Sequence, residues 1–263
     1  MDELLNQQGP ASGHMGDGAG TYVARDGQVA YGYTIGMICA EWHIPFIPGD
    51  LNNATTFPFP VRYISVPGAK GAAVLAGETG SMAQPFIDAA RRLEAEGVRA
   101  ITSNCGFLAP LQPIVSSSVD VPVFLSSLVQ APLLATMLGS ARKVGVLLAN
   151  SSSINDDVLK SVGMTEPGRL VFQGLEGGRH WNECILQELG VLDEARIREE
   201  VVAAAVDMVR RDGSIGAILM ECSDLPPYSK AVADATGRPV FDWANFIEFV
   251  HRATNPRTYA GLY

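Results

Sequence analysis

The sequence predicts an α/β fold of two pseudo-duplicated, Rossmann-like lobes, each a parallel sheet covered by helices, with the active-site cleft between them. Apolar, β-rich runs alternate with helical patterns along the chain, which is typical of parallel, helix-covered sheets. Two of these runs end on a cysteine, Cys105 and Cys222, and small or polar residues followed by a helical segment come after each. The similar contexts of these two runs indicate two similar halves.

The first half is predicted to contain four strands, two helices and one long loop. Apolar runs predict strands over residues 33–39, 61–66, 99–105 and 121–125. Between the first two strands, residues 40–60 hold several prolines and aromatic residues, which predicts an irregular but packed loop. Residues 81–97 show apolar side chains at helical spacing up to a terminal glycine, and residues 110–116 predict a short helix. Pro122 favours an edge position for the fourth strand.

The second half continues the same alternation. Strands are predicted over residues 143–149, 170–172, 215–220 and 239–241, and helices over residues 131–138, 154–162, 192–211 and 227–236, with a helical start to the tail from Trp243. The long helix 192–211 is amphipathic, with Ile197, Val201 and Met208 on its apolar face. The polar cluster 150–153 follows a strand, where it can cap the next helix or bind an anion.

Composition excludes several classes of protein. The 263 residues are 47% hydrophobic and 18% charged, so the chain can bury a full core, and its net charge of −9 argues against a nucleic-acid surface. No apolar run reaches the roughly 18 residues of a membrane span. Residues 1–20 lack the apolar core of a secretory signal. Two interpretations stay open for them, a mobile polar arm or, in part, a vector-derived remnant around residues 12–15. Widely spaced cysteines then favour reduced thiols in a cytoplasmic protein.

The cysteine motifs resemble those of the aspartate/glutamate racemase superfamily, which includes hydantoin racemases, maleate isomerases and arylmalonate decarboxylases. The motifs are residues 102–106 (TSNCG) and residues 221–226 (ECSDLP), and the resemblance extends from about Tyr31 onward. Glutamate racemases carry Thr-His after the second cysteine, where this chain has Ser223 and Asp224, which points away from glutamate as substrate. Arylmalonate decarboxylases keep only the second cysteine, whereas this chain has both.

The resemblance implies a racemase or epimerase that inverts the carbon next to a carboxylate without a metal or an organic cofactor. A thiolate on one wall takes the proton and a thiol on the other returns one, so Cys105 and Cys222 are the expected catalytic pair, with Asp224 as a proton relay. The expected partner is a small carboxylic acid, and the formation of homo-oligomers is left open. The side chains expected to hydrogen-bond or line the substrate are Ser103, Asn104, Gly106, Phe107, Asn150, Ser151 and Ser223.

Other functions and other interpretations of single residues stay open. Decarboxylation of a malonate-type acid, cis–trans isomerisation of an unsaturated diacid and non-catalytic binding of a small acid would all suit this fold. Cys39 and Cys184 are more readily explained as core residues, and His180 with Cys184 offers too few ligands for a metal site. His43 is predicted to be a packed loop residue, with substrate contact as the alternative. The glycines of residues 16–20 lack the strand and the lysine of a phosphate loop.

Domain boundaries follow from the cysteine strands together with the resemblance, in which the chain crosses over and returns. Lobe one is predicted to combine residues 1–125 with residues 238–263 and to carry Cys105. Lobe two is predicted to comprise residues 126–237 and to carry Cys222.

Overall fold

Two four-stranded parallel sheets form the frame of the protein, for which the computed structural model describes Ala24, Gln28 and residues 30–262. The strands are β1 (Ile35–Glu41), β2 (Val61–Lys70), β3 (Ala100–Ser103), β4 (Val123–Phe124), β5 (Lys143–Leu148), β6 (Leu170–Gly174), β7 (Ile215–Met220) and β8 (Val240–Phe241). Their orders are β2-β1-β3-β4 and β6-β5-β7-β8, and all paired neighbours are parallel. The second order repeats the first, so the predicted α/β fold of two similar sheets is confirmed.

Helices cover both sheets. They are α1 (Gly71–Leu75), α2 (Ala83–Ala95), α3 (Gln112–Ser116), α4 (Ala131–Met137), α5 (Asp156–Ser161), α6 (Arg179–Trp181), α7 (Glu194–Arg211), α8 (Ser229–Thr236) and α9 (Trp243–Thr254). One π-helical turn, Asn182–Leu186, continues α6. Side chains at the starts of α5, α7 and α9 cap backbone N–H groups, which explains why these helices begin after Asn155, Asp193 and Asp242.

The structure differs from the predicted elements at one proline-containing helix and at two short helices. The helix predicted over residues 110–116 is divided into a 3₁₀ turn, Gly106–Leu111, and α3, because Pro110 and Pro113 each remove a backbone donor. Helices α1 and α6 were not predicted, since five and three residues are too few to show helical periodicity. Residues 40–60 are irregular as expected, and β4 lies at a sheet edge as Pro122 predicted.

The core has two parts. The larger cluster packs the helices against both sheets, and the smaller one covers the outer face of the first sheet. In the smaller cluster, Trp243 and Ile247 of α9 pack against Ile35 and Met37 of β1, and the Trp243 indole donates a hydrogen bond to Thr102 Oγ1 at 3.2 Å. The chain therefore returns from the second sheet to cover the first. The exact lobe boundaries stay a prediction.

The topology brings both cysteines to comparable places. β3 lies beside β1, and β7 lies beside β5, at the points where the strand order of each sheet reverses direction. Ligands of open parallel sheets bind at such points, outside the carboxyl ends of the strands. Cys105 and Cys222 come two residues after β3 and β7 end.

Among the described residues, no helix is long and apolar enough to cross a membrane. The interpretations of residues 1–20, including the glycine run, fall outside the described part of the chain.

Candidate active site

Both cysteines line one small cavity between the carboxyl ends of the two sheets. Its lining comprises Trp42, Leu75, Asn104, Cys105, Phe107, Ala149, Ile185, Glu221, Cys222, Ser223 and Asp224. Residues from β1, β3, β5 and β7, or from the segments that follow them, all contribute to it. The structure thus brings together the predicted catalytic group of Cys105, Cys222 and Asp224, with three of the residues predicted to bind the substrate.

The Cys105 thiol sits at the start of a tight turn. The residue is extended, with φ −152° and ψ 125°, and the 3₁₀ turn begins at Gly106. The backbone N–H of Phe107 points at the sulfur and favours the thiolate, but burial raises the pKa of Cys105 well above its ordinary value, and the Glu221 charge raises it further. Cys105 is therefore a neutral thiol at rest.

The Cys222 thiol has a carboxylate partner. Its Sγ donates a hydrogen bond to Asp224 Oδ2 at 3.2 Å. Burial raises the pKa of Cys222 well above its ordinary value, and the charges of Asp224 and Glu221 add to that rise. The protein holds this proton on sulfur, next to a group that can accept it.

A second aspartate lies behind this pair. The loop after β1 brings Asp50, 2% exposed, next to Asp224, and its Oδ1 accepts a hydrogen bond from the Asn52 N–H at 2.7 Å. Burial and the Asp224 charge raise the pKa of Asp50 well above its ordinary value. Asp50 therefore holds a proton more readily than an exposed aspartate does.

Three polar side chains hold the walls in place. The Asn104 amide donates to the Ala40 carbonyl at 3.0 Å and accepts from the Ala40 N–H at 2.9 Å, which ties the end of β3 to the end of β1. The Ser223 hydroxyl donates to the Asn104 carbonyl at 2.8 Å and joins the two cysteine segments. The Ser103 hydroxyl donates to the Leu125 carbonyl at 2.6 Å, away from the cavity lining. These contacts orient the cysteines.

The remaining predicted binding residues lie beside the cavity. The Asn150 side chain accepts from the Ser152 N–H at 3.0 Å and caps a short turn, while Ser151 hydrogen-bonds Glu176. Neither is part of the cavity lining, and their role in binding stays a prediction. Gly106 packs directly under the Glu221 carboxyl group.

Sequence reasoning missed Glu221, Asp50 and Trp42 as site residues. Glu221 is 1% exposed, its Oε2 accepts the Ala149 N–H at 3.3 Å, and burial raises its pKa to about 8. An acidic residue at the end of an apolar strand was the available signal for Glu221. Asp50 and Trp42 lie in the irregular loop, where no periodicity reveals the direction of a side chain.

The cysteines Cys39 and Cys184 and the histidines His43 and His180 lie outside the cavity lining. Cys39 and Cys184 are buried in the core, in line with their interpretation as packing residues. The His180 ring contacts Glu200 at 2.8 Å, and the exposed His43 donates its backbone N–H to Glu188 at 2.7 Å. A larger groove on the outside of the first sheet, near Phe124 and Phe246, is lined by residues without a titratable side chain.

Charge is the most informative property of the cavity. Its lining contains two carboxyl groups, Glu221 and Asp224, with Asp50 close behind, and none of the described residues that line it is Lys, Arg or His. The rings of Trp42 and Phe107 complete the walls. This arrangement can abstract a proton with a thiolate, and it suits a ligand that brings its own positive charge.

Known proteins resemble this chain in sequence and in fold. A dimethylsulfoniopropionate lyase from Durusdinium sp. clade D is 33% identical over 232 residues, which are 85% of this chain and 76% of that protein. Dimethylsulfoniopropionate lyase 7 from Emiliania huxleyi (strain CCMP1516) is 33% identical over 80% of this chain, and the match spans 63% of that relative's length. No family model matches the chain.

The similar solved structures share the fold. A mutant of arylmalonate decarboxylase in its sulfate-associated form superposes with a TM-score of 0.54 at 19% identity, over 85% of this chain and 94% of that one. An aspartate racemase homologue from Pyrococcus horikoshii OT3 superposes with a TM-score of 0.52 at 20% identity, over 84% of this chain and 97% of that one. The predicted resemblance to the aspartate/glutamate racemase superfamily is confirmed at the level of the fold.

Proposed function

Because this chain belongs to the family of the Durusdinium dimethylsulfoniopropionate lyase, we propose that it is a carbon–sulfur lyase acting on dimethylsulfoniopropionate. In this reaction a base removes one proton from the carbon next to the carboxylate. The electron pair of that C–H bond forms the C=C bond of acrylate, and the C–S bond breaks. Dimethyl sulfide leaves with the electron pair of the C–S bond, and one proton is released from the enzyme afterwards.

The charge of the cavity is the observation that carries this proposal. Dimethylsulfoniopropionate has one sulfonium cation and one carboxylate, whereas aspartate and glutamate carry one ammonium group and two carboxylates and are therefore net negative. A lining with the Asp224 carboxylate, and without a described Lys, Arg or His, disfavours a second carboxylate and favours a substrate that has a cation and only one carboxylate. The ring faces of Trp42 and Phe107 are suited to the methylated sulfonium, which has no N–H or O–H to donate.

Cys222 is the proposed base. Its thiol already donates to Asp224 Oδ2 at 3.2 Å, so the proton can move to the carboxylate as the sulfur becomes nucleophilic. Nearby negative charges raise the pKa of Cys222, and a bound sulfonium opposes them. Binding of the substrate would therefore lower the pKa of the thiol that must react with it. Bound ligands without a cation would leave Cys222 protonated.

The racemase or epimerase predicted from the cysteine motifs is the second candidate. The presence of both Cys105 and Cys222 in one cavity favours it, since inversion needs an acid and a base on opposite faces. Elimination from dimethylsulfoniopropionate needs only one base. Both reactions begin with the same step, the removal of a proton next to a carboxylate.

Incubation of the purified protein with dimethylsulfoniopropionate in D₂O separates the two candidates. A lyase releases dimethyl sulfide and acrylate in equal amounts, measured by headspace gas chromatography and by NMR. The neutral thioether 3-(methylthio)propionate is the matched control, because it has the same carboxylate without the cation. Exchange of the α-proton of aspartate or glutamate, with no product from dimethylsulfoniopropionate, would instead support the racemase.

A further inference from the structure

Two residues that line the cavity, Glu221 and Trp42, each carry a buried polar atom without a hydrogen-bond partner among the described residues, and that of Glu221 is a carboxyl oxygen. Its Oε1 is fully buried and has no hydrogen-bond partner among the described residues, while Oε2 accepts the Ala149 N–H at 3.3 Å. A buried polar atom without a partner is costly and is retained where a ligand or a water completes it. Since Glu221 lines the cavity, a ligand or a water held there is the available partner for this oxygen.

The absence of a side chain at Gly106 leaves space for the Glu221 carboxyl group. A Cβ atom added to Gly106 would overlap Glu221 Oε1, and the overlap extends to the rest of the carboxyl group. Gly106 directly follows Cys105, and Glu221 directly precedes Cys222. The carboxyl group therefore reaches from the second cysteine segment to the first, and it interacts with both thiols.

The groups around Glu221 decide its protonation. Cys105, Cys222 and Asp224 are the titratable groups that interact with it, Asp50 lies behind Asp224, and the Ala149 N–H faces it from the end of β5. Its surroundings are thus anionic or neutral, apart from one amide dipole. Burial raises the pKa of Glu221 to about 8, and the charge of Asp224 adds to the rise, so the carboxyl group is protonated at neutral pH.

We propose that Glu221 is a catalytic residue that donates a hydrogen bond from its neutral carboxyl group to the carboxylate of the substrate. This inference rests on the proposed lyase function. When the α-proton leaves, negative charge builds up on the substrate carboxylate oxygens before the C–S bond has fully broken. A donor held in a buried site stabilises that charge without adding a positive group that would repel the sulfonium.

Replacement of Glu221 tests the proposal through the pH dependence of kcat/KM. Glu221→Gln keeps an acceptor for the Ala149 N–H and a donor for the substrate, but the amide does not titrate. In the native protein the rate should fall at alkaline pH, because the active form needs a Cys222 thiolate and a protonated Glu221 together. Glu221→Gln should lose that alkaline limb and keep activity within about tenfold of the native protein.

Two further variants test the donor itself. Glu221→Leu removes it and should lower kcat by about 100-fold, as expected for the loss of one buried donor to developing charge. Gly106→Ala should give a similar loss, because its methyl group displaces the carboxyl group from the cavity. Equal activity of the Gln and Leu variants, or an unchanged alkaline limb in Glu221→Gln, would overturn the proposal and make Glu221 a structural residue.

A measurement without turnover separates this proposal from the proposed function. Infrared difference spectra between the native protein and Glu221→Gln should contain the C=O band of a protonated carboxylic acid at pH 7. Propionate, which offers only the carboxylate, should shift this band to lower frequency. If the native protein fails to release dimethyl sulfide but the band and its shift are present, the substrate is wrong and the role of Glu221 stands. Absence of the band at pH 7 overturns it.

Discussion

At the scale of single residues, the two thiols differ in what surrounds them. The Cys222 thiol donates a hydrogen bond to Asp224 Oδ2, whereas the Cys105 sulfur faces the backbone N–H of Phe107. Burial is the largest cause of the raised pKa of either thiol. The difference lies in proton transfer, since only the Cys222 hydrogen bond leads to a carboxylate that can take the proton over.

Asp224→Asn should shift the acidic limb of the pH–rate profile to lower pH. The Asp224 charge raises the pKa of Cys222, so its removal lowers that pKa and yields thiolate at lower pH. The maximal rate should fall as well, because asparagine cannot accept the thiol proton. The profile of kcat and the pH dependence of alkylation by iodoacetamide check this prediction.

The matched control is Asp234→Asn, which makes the same chemical change at an exposed position on α8. It should leave both profiles unchanged. If Asp224→Asn also leaves them unchanged, Asp224 is a structural group and takes no part in proton transfer.

At the scale of elements, strand periodicity was enough to locate both cysteines. Each follows a buried strand, and the carboxyl ends of parallel strands meet at one crevice, so a common cavity could be predicted without a structure. The same reasoning could not locate Trp42 or Asp50. Their positions depend on the irregular loop after β1, whose path is fixed by tertiary contacts such as the Leu51 N–H to Ser223 carbonyl bond at 3.4 Å.

The contact between α1 and the loop after β1 positions Trp42. A Cβ atom at Gly71, the first residue of α1, would overlap the Trp42 ring. Gly71→Ala should therefore displace the indole from the cavity and raise KM for dimethylsulfoniopropionate about 30-fold, which corresponds to the loss of about 2 kcal/mol from one desolvated cation–π contact. Steady-state kinetics check this, and kcat should change less than KM.

Gly80→Ala serves as the control, because nothing lies within 4 Å of the added Cβ at that exposed position. It should keep the native KM. An unchanged KM in Gly71→Ala would mean that Trp42 contributes to packing and makes no contact with the cation.

At the scale of the whole molecule, the repeated strand order explains how one chain builds a cavity with two thiol walls. The alternation of strands and helices was sufficient to predict this architecture, since it depends on patterns that extend over many residues. Short elements were not predicted, because they contain too few residues to show such a pattern. The π-helical turn Asn182–Leu186 supplies Ile185 to the cavity, but five residues are too few to show a sequence period. The preceding Trp181 is buried, and its indole donates to the Ala149 carbonyl at 3.0 Å.

The buried acids of the cavity should make the fold less stable as pH rises. Glu221 has a pKa of about 8 in the folded protein against 4.5 as its ordinary value, so the folded state binds its proton more tightly. The free energy of unfolding is unaffected by this group below about pH 4.5 and falls as the pH rises from 4.5 to 8. At pH 7 the loss is about 3 kcal/mol.

Glu221→Gln should therefore unfold at a similar urea concentration to the native protein at pH 5 and at a higher one at pH 8. Glu166→Gln, on the exposed surface, should match the native protein at both values. A Glu221→Gln variant that is no more stable at pH 8 would show that the folded protein accommodates the Glu221 charge without cost.

In the proposed reaction, a thiolate in this cavity removes the proton next to the carboxylate of dimethylsulfoniopropionate. The most direct test is the release of dimethyl sulfide by the native protein, Cys222→Ala, Cys105→Ala and, as a control, Cys39→Ala, which lies outside the cavity lining. We predict release by the native protein and by Cys39→Ala, a loss of at least about 1000-fold in Cys222→Ala, and a smaller loss in Cys105→Ala. Undiminished release from Cys222→Ala would show that the Cys222 thiolate is not the base.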